Sequence, residues 1–128
     1  MIDTARHFLP VAALKQMVDS LPFAKLNVLH WHMSDTQSFP FESKTHPKLW
    51  DGAYSSQEKY TQLDARGVVE YARLRGVRVM VEFDQPGHAG SWCAAGSDRS
   101  GVQGARLNPL GLFLNPLRLF LHTSIPFI

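Results

Sequence analysis

The sequence predicts an α/β fold in which parallel strands alternate with helices. Two observations carry this. Segments with helical apolar spacing sit between segments with strand character, in the order strand, helix, strand, helix, strand. The last strand, Val77–Asp84, alternates cleanly: Val77, Val79, Val81 and Phe83 share one face, and Arg78, Met80, Glu82 and Asp84 the other. Such alternating units argue for a parallel sheet or barrel with helices outside. In a barrel the Val/Phe face would meet the helices, the Arg78/Glu82/Asp84 face would point into the lumen, and chemistry would sit at the C-terminal strand ends.

The elements follow in order. Met1–Arg6 reads as a short strand that ends in functional residues, and His7–Pro10 as a connection. Leu14, Met17, Val18 and Leu21 recur at helical spacing, so Val11–Leu21 is an amphipathic helix, with Pro22 placed to stop it. Lys25–Met33 reads as a strand apolar on both faces, as in a doubly covered parallel sheet. Ser34 to about Tyr60, with Pro40, Pro47 and Gly52, is a long irregular connection of the kind that usually carries function. Thr61 and Asp64 resemble a capping box ahead of a second apolar stripe, Ala65, Val68, Val69 and Ala72, and Gly76 falls just past that helix. After about Gly96 the pattern loses both periods. Two domains of sequence are therefore expected: 1–96, the α/β part, and 97–128, an irregular tail rich in Leu, Pro and Phe.

Bulk properties narrow the function classes. The length, 128 residues, suits one ordinary domain, and the apolar fraction of 45% is globular. The formal charge is +2 with no dense Lys/Arg cluster, which argues against nucleic acid. Cys93 is the lone cysteine, so no internal disulfide can form. The first residues lack the basic and apolar regions of a signal peptide, and no apolar run approaches the roughly 20 residues of a membrane span.

Three clusters could carry chemistry. His30-Trp31-His32-Met33-Ser34-Asp35 puts two imidazoles on one strand face and Asp35 beyond the strand end; backbone-satisfied histidines are the plainer alternative. Glu82-Phe83-Asp84-Gln85-Pro86-Gly87-His88 holds Asp84 and His88 on either side of a forced turn. Paired carboxylates beside a histidine are costly in a barrel mouth unless they serve a function. Asp3-Thr4-Ala5-Arg6-His7 ends in Arg6, which could fork onto sugar hydroxyls or a carboxylate, or simply form a surface salt bridge. Trp31, Trp50, Tyr54 and Trp92 add aromatic surface, with Trp31 the most core-like and Tyr54 the best rim residue.

On the stretches DTARHFLPV, KLNVLHWHMSDTQSFPFES, GAYS with YTQLD, and VVEYARLRGVRVMVEFDQPGHAGSW, the chain resembles the β-N-acetylhexosaminidases of glycoside hydrolase family 20, from the first residues to about Trp92. The resemblance implies an incomplete (β/α)8 TIM barrel, about its first three strand–helix units. It implies removal of terminal N-acetylglucosamine or N-acetylgalactosamine from glycans by retaining, substrate-assisted hydrolysis, an exception to the two-carboxylate scheme. There the substrate's acetamido oxygen attacks the anomeric carbon, an Asp orients it and an adjacent Glu protonates the leaving oxygen. No metal or organic cofactor is implied. Carried over, Arg6 resembles the arginine that grips sugar hydroxyls, and Asp35, Asp84 and His88 resemble the groups supporting the catalytic acid. A lysosomal or extracellular location is implied, and dimers are left open.

Two departures stand out. The family commonly has two acids in succession where Asp35 is followed by Thr36, and its catalytic Asp-Glu pair is not found. The expectation is that the chain alone is inactive and folds poorly, its tail foreign to the family. Two alternatives remain: a metal-dependent barrel hydrolase on His30, His32, Asp84 and His88, and a non-catalytic sugar-binding remnant.

Overall fold

The computed structural model describes residues 1–96; the tail expected at 97–128 lies outside the described residues. Strand β1 (Ile2–Asp3), helix α1 (Val11–Phe23), strand β2 (Val28–Ser34), helix α2 (Gln62–Arg73) and strand β3 (Arg78–Phe83) follow one another, with 3-10 helices at Pro47–Gly52 and Gly90–Gly96. The three strands pair in parallel in the order β1-β2-β3. Each helix thus joins two parallel neighbours, as expected. The described residues form a small α/β unit with an open three-stranded sheet, not a closed barrel.

The core lies between the helices and one sheet face. Leu14 and Val18 of α1 and Val68 and Ala72 of α2 pack with Leu29, Trp31, Val77 and Val79, all buried. Removing one such side chain, as in Leu14→Ala, costs about 2–5 kcal/mol. Trp31 is fully buried, and its indole N–H donates to Thr4 Oγ1 at 2.9 Å. Tyr60 meets it edge-on, stacks on Phe8 and donates its hydroxyl to the Leu9 carbonyl.

Several boundaries, and one strand face, differ from the sequence reading. β1 is shorter than Met1–Arg6, because Asp3 folds back onto the following amides: its Oδ1 accepts the N–H groups of Ala5 and Arg6 at 3.1 and 3.0 Å. α1 runs through Pro22 rather than stopping before it. Pro22 lies in the last turn, where the stop comes from Lys25 at φ +58. The Lys25 N–H reaches the Pro22 carbonyl and the Leu26 N–H the Leu21 carbonyl, each at 2.9 Å, closing the helix as a left-handed cap. β2 begins at Val28 and ends at Ser34, not at Lys25 and Met33, because Lys25 and Leu26 belong to that cap. Finally, β2 is apolar on one face only. Leu29, Trp31 and Met33 are buried in the core, whereas the other face carries His30, His32 and Ser34.

The second helix matches its signals. Thr61 Oγ1 accepts the Asp64 N–H while Asp64 Oδ2 accepts the Thr61 N–H, a complete capping box despite the shorter acid. Gly76 sits at φ +70, where the Gly76 and Val77 N–H groups return to Arg73 and Ala72. The long connection is ordered by backbone contacts. A parallel bridge joins Phe41 to Tyr60, and the Phe39 N–H donates to the Gly52 carbonyl at 3.0 Å. A Cβ at Gly52 would collide with the Ser91 carbonyl, so this glycine lets the first 3-10 helix lie against the second.

Candidate functional site

The register that builds the core also builds the opposite face. β2 and β3 pair His30 with Met80 and His32 with Glu82, and β1 pairs Asp3 with His32. Side chains alternate across a strand, so Asp3, His32 and Glu82 arrive side by side near the C-terminal ends.

They form a continuous chain of polar contacts. Arg6 donates from one guanidinium nitrogen to Asp3 Oδ2 and from the other to Asp35 Oδ2, both at 2.7 Å. Asp35 Oδ2 also faces His32 Nε2 at 2.8 Å, and His32 Nδ1 faces Glu82 Oε2 at 2.7 Å. The same Glu82 oxygen faces His30 Nε2 at 2.7 Å. The run Arg6–Asp35–His32–Glu82–His30 therefore ties all three strands together at one end. Asp35 is its buried centre: its Oδ1 takes the Thr36 N–H at 2.6 Å, and its carbonyl accepts the Ser91 hydroxyl at 2.6 Å.

The third-strand motif closes the wall. His88, at φ +57 after the Pro86-Gly87 turn, brings Nδ1 to 3.2 Å from Asp35 Oδ1 and 3.4 Å from Arg6. A guanidinium only donates, so Nδ1 cannot serve both partners; the shorter contact, charge-assisted at Asp35, is the one we assign. Asp84 is half-buried beside these groups and makes no side-chain hydrogen bond or ion pair among the described residues. Tyr54, 48% exposed, donates its hydroxyl to the Arg6 carbonyl at 3.2 Å, at the rim. Trp50 and Trp92 are instead packing groups: the Trp50 indole N–H donates to the Pro40 carbonyl, and Trp92 stands edge-on to Phe39.

The sequence and fold that carry this arrangement are matched among known proteins. The model of the glycosyl hydrolase family 20 catalytic domain matches residues 1–111. The chain belongs to glycosyl hydrolase family 20. β-Hexosaminidase 3 of Arabidopsis thaliana is 59% identical over 92 residues, 72% of this chain and 17% of that protein. The human β-hexosaminidase subunit beta is 55% identical over 93 residues, again 72% of this chain and 17% of the relative. A Flavobacterium johnsoniae chitobiase superposes with a TM-score of 0.69 at 43% identity, covering 74% of this chain and 14% of that one. A Vibrio harveyi exo-β-N-acetylglucosaminidase in complex with N-acetylglucosamine gives 0.66 at 30% identity, over 73% and 17%. The chain thus spans about a sixth of the length of these curated relatives.

Electrostatics in this family 20 wall follow from the contacts. Burial alone would raise the Asp35 carboxyl, but the Thr36 amide, His32, His88 and Arg6 outweigh it and hold the group below the usual carboxylate range. Glu82 is held down chiefly by the hydrogen bond from His32. For Asp3 burial is again opposed, by the Arg6 amide and guanidinium, with a net lowering. Burial pushes the His32 imidazole down, yet Glu82 and Asp35 on its two nitrogens overcome this and raise it. His32 is thus suited to donating both ring protons at once, one to each carboxylate.

All four site residues taken from the sequence, Arg6, Asp35, Asp84 and His88, come together here. The metal-ligand alternative fares differently. His30, His32, Asp84 and His88 do not share one set: ligand atoms cluster as His32, Glu82 and Asp84, and separately as Asp35, Asp84 and His88. The sequence placed Glu82 with Asp84 on the lumen face and Asp3 in the Arg6 cluster, but joined neither to His32. Strand register was the missing signal: Asp3, His32 and Glu82 are lateral neighbours, which parity within a single strand does not reveal.

Proposed function

We propose that this chain forms the sugar-gripping wall of a β-N-acetylhexosaminidase acting on glycans that end in N-acetylglucosamine or N-acetylgalactosamine. The observation that carries the reading is Arg6. Its guanidinium is clamped between Asp3 and Asp35 yet remains 42% exposed, so it is fixed in direction and still open to a ligand. Two carboxylates pre-orient its remaining N–H groups toward neighbouring hydroxyls of a pyranose. Asp35, Asp84 and His88 act behind it as supports of the catalytic acid.

The reaction is substrate-assisted retaining hydrolysis. The acetamido oxygen of the sugar attacks the anomeric carbon, an Asp orients it, and an adjacent Glu gives its proton to the leaving oxygen. No adjacent Asp-Glu pair occurs in this sequence, so the 128-residue chain by itself is not expected to turn over substrate. The place of action is lysosomal or extracellular. No helix among the described residues is long and apolar enough to cross a membrane.

A chimera tests the role of Arg6. Residues 1–92 replace the matching segment of the Arabidopsis β-hexosaminidase 3, and hydrolysis of a chromogenic N-acetyl-β-glucosaminide is measured. The chimera should be active, and Arg6→Ala in it should lower kcat/KM by on the order of 10–100-fold, the worth of charged hydrogen bonds. An active chimera indifferent to Arg6→Ala rules the reading out.

A further inference from the structure

We propose that β3 is a self-pairing edge, along which two copies of this chain join antiparallel about a two-fold axis at Met80. β3 is the longer of the two outer strands, six residues against two in β1. Among the described residues it pairs on one side only, with β2. Arg78 is exposed, Met80 is 45% exposed and Val81 is 40% exposed. An edge of this length, with apolar side chains open on both faces, is a template for another strand.

The order of side chains names the partner. Residues 78–82 read Arg-Val-Met-Val-Glu, which is its own complement when reversed. Centred on Met80, an antiparallel copy sets Arg78 against the partner's Glu82, Val79 against the partner's Val81, and Met80 against the partner's Met80. The two-fold axis repeats each contact, so two Arg–Glu pairs form. Opposite charges and apolar residues directly across an antiparallel pair stabilise it. Both charged groups have capacity for this. Arg6, Arg73 and Arg75 hold ion pairs among the described residues, and Arg78 holds none. Glu82 turns Oε2 to both His30 and His32, and its Oε1 accepts no hydrogen bond among the described residues. Centring on Val81 instead would set Met80 against Glu82 twice and carry Arg78 to Asp84, beyond the strand end.

The backbone agrees with this register. The ladder to β2 stays in step from Arg78 to Glu82. The Arg78 N–H donates to the Asn27 carbonyl at 2.9 Å, so Arg78, Met80 and Glu82 turn their peptide groups toward β2. Val79 and Val81 turn theirs to the free edge, because hydrogen-bonding direction alternates along a strand. In the Met80-centred register, Val79 and the partner's Val81 then exchange both N–H···O bonds. Met80 meets its copy at a non-hydrogen-bonded position, with Cα atoms about 4.5 Å apart. The pairing also gives Val81, which α2 leaves exposed, an apolar neighbour on its own face. At two residues, β1 offers too few bonds for head-to-tail growth of the sheet. This pairing goes beyond the hydrolase reading and does not depend on it.

Sedimentation equilibrium of the purified 128-residue chain should show a monomer–dimer equilibrium. Arg78→Glu sets like charges opposite one another twice and should raise the dissociation constant by about tenfold or more. Arg66→Glu, at an exposed position of α2, should leave it unchanged. Oxidative cross-linking in a Cys93→Ser background reads the register. Met80→Cys should give a disulfide-linked dimer, because the Cα spacing at the axis suits the bond. Val81→Cys, out of step with its own copy, should not. Far-ultraviolet circular dichroism checks that each variant is folded. A monomer throughout, open-ended oligomers, unchanged association in Arg78→Glu, or a cross-link through Val81→Cys in place of Met80→Cys would each overturn the proposal.

Discussion

Asp35 and Tyr60 show how much single side chains carry here. Asp35 is fully buried and holds Arg6, His32 and His88 at once. Asp35→Asn keeps the shape but removes the charge that these partners face. It should cost about 3 kcal/mol or more, the penalty for stranding buried partners, and chemical denaturation of the variant against the parent measures it. Tyr60 gives a pH signature. Burial pushes its phenol up to about 12, against partial relief from the Leu9 N–H, which donates to the phenol oxygen. The folded state thus favours the protonated phenol more than the unfolded state does. That stability is complete below pH about 10, the ordinary value, and is lost as pH rises through about 12. Tyr60→Phe should remove this alkaline step while costing about 1–2 kcal/mol at neutral pH for the lost Leu9 contacts; thermal melts across that window decide it.

The elements were readable where local chemistry sets them and unreadable where distant contacts do. α2 was legible end to end, because Thr61, Asp64 and Gly76 are signals within a few residues of the structure they fix. The end of α1 was not, since Lys25 occupies the left-handed position usually given to glycine and only the return bonds to Leu21 and Pro22 reveal it. At the candidate site, motif resemblance drew attention to Arg6, Asp35, Asp84 and His88, which the fold brings together. The side-by-side placement of Asp3, His32 and Glu82 depends on register and was not legible in the sequence. Order in the 35–60 connection is likewise long-range: Phe39 is bonded to Gly52, and Gly52 lies against Ser91. Gly52→Ala should push the two 3-10 helices apart and lower stability by about 1–3 kcal/mol, the cost of overpacking against backbone. A melting curve matching that of the parent chain would show that the contact is not needed.

At the scale of the whole described unit, the α/β architecture leaves β1 and β3 as sheet edges, with Val28, Met80 and Val81 each at least 40% exposed. Val81 shares the core-facing parity of Val79, yet Val79 is buried under α2 and Val81 is not. Open edges beside exposed apolar side chains favour association. The chain should therefore self-associate at micromolar concentration, and sedimentation showing a monomer throughout that range would count against it. The same openness bears on function. The wall proposed to grip a sugar is assembled on three strand ends, while the acid pair that the proposed chemistry needs has no counterpart in this sequence. Assay of the purified 128-residue chain with a chromogenic N-acetyl-β-glucosaminide tests that division most directly. No turnover above buffer is expected, and turnover that tracks the purified chain and disappears with Arg6→Ala would contradict it.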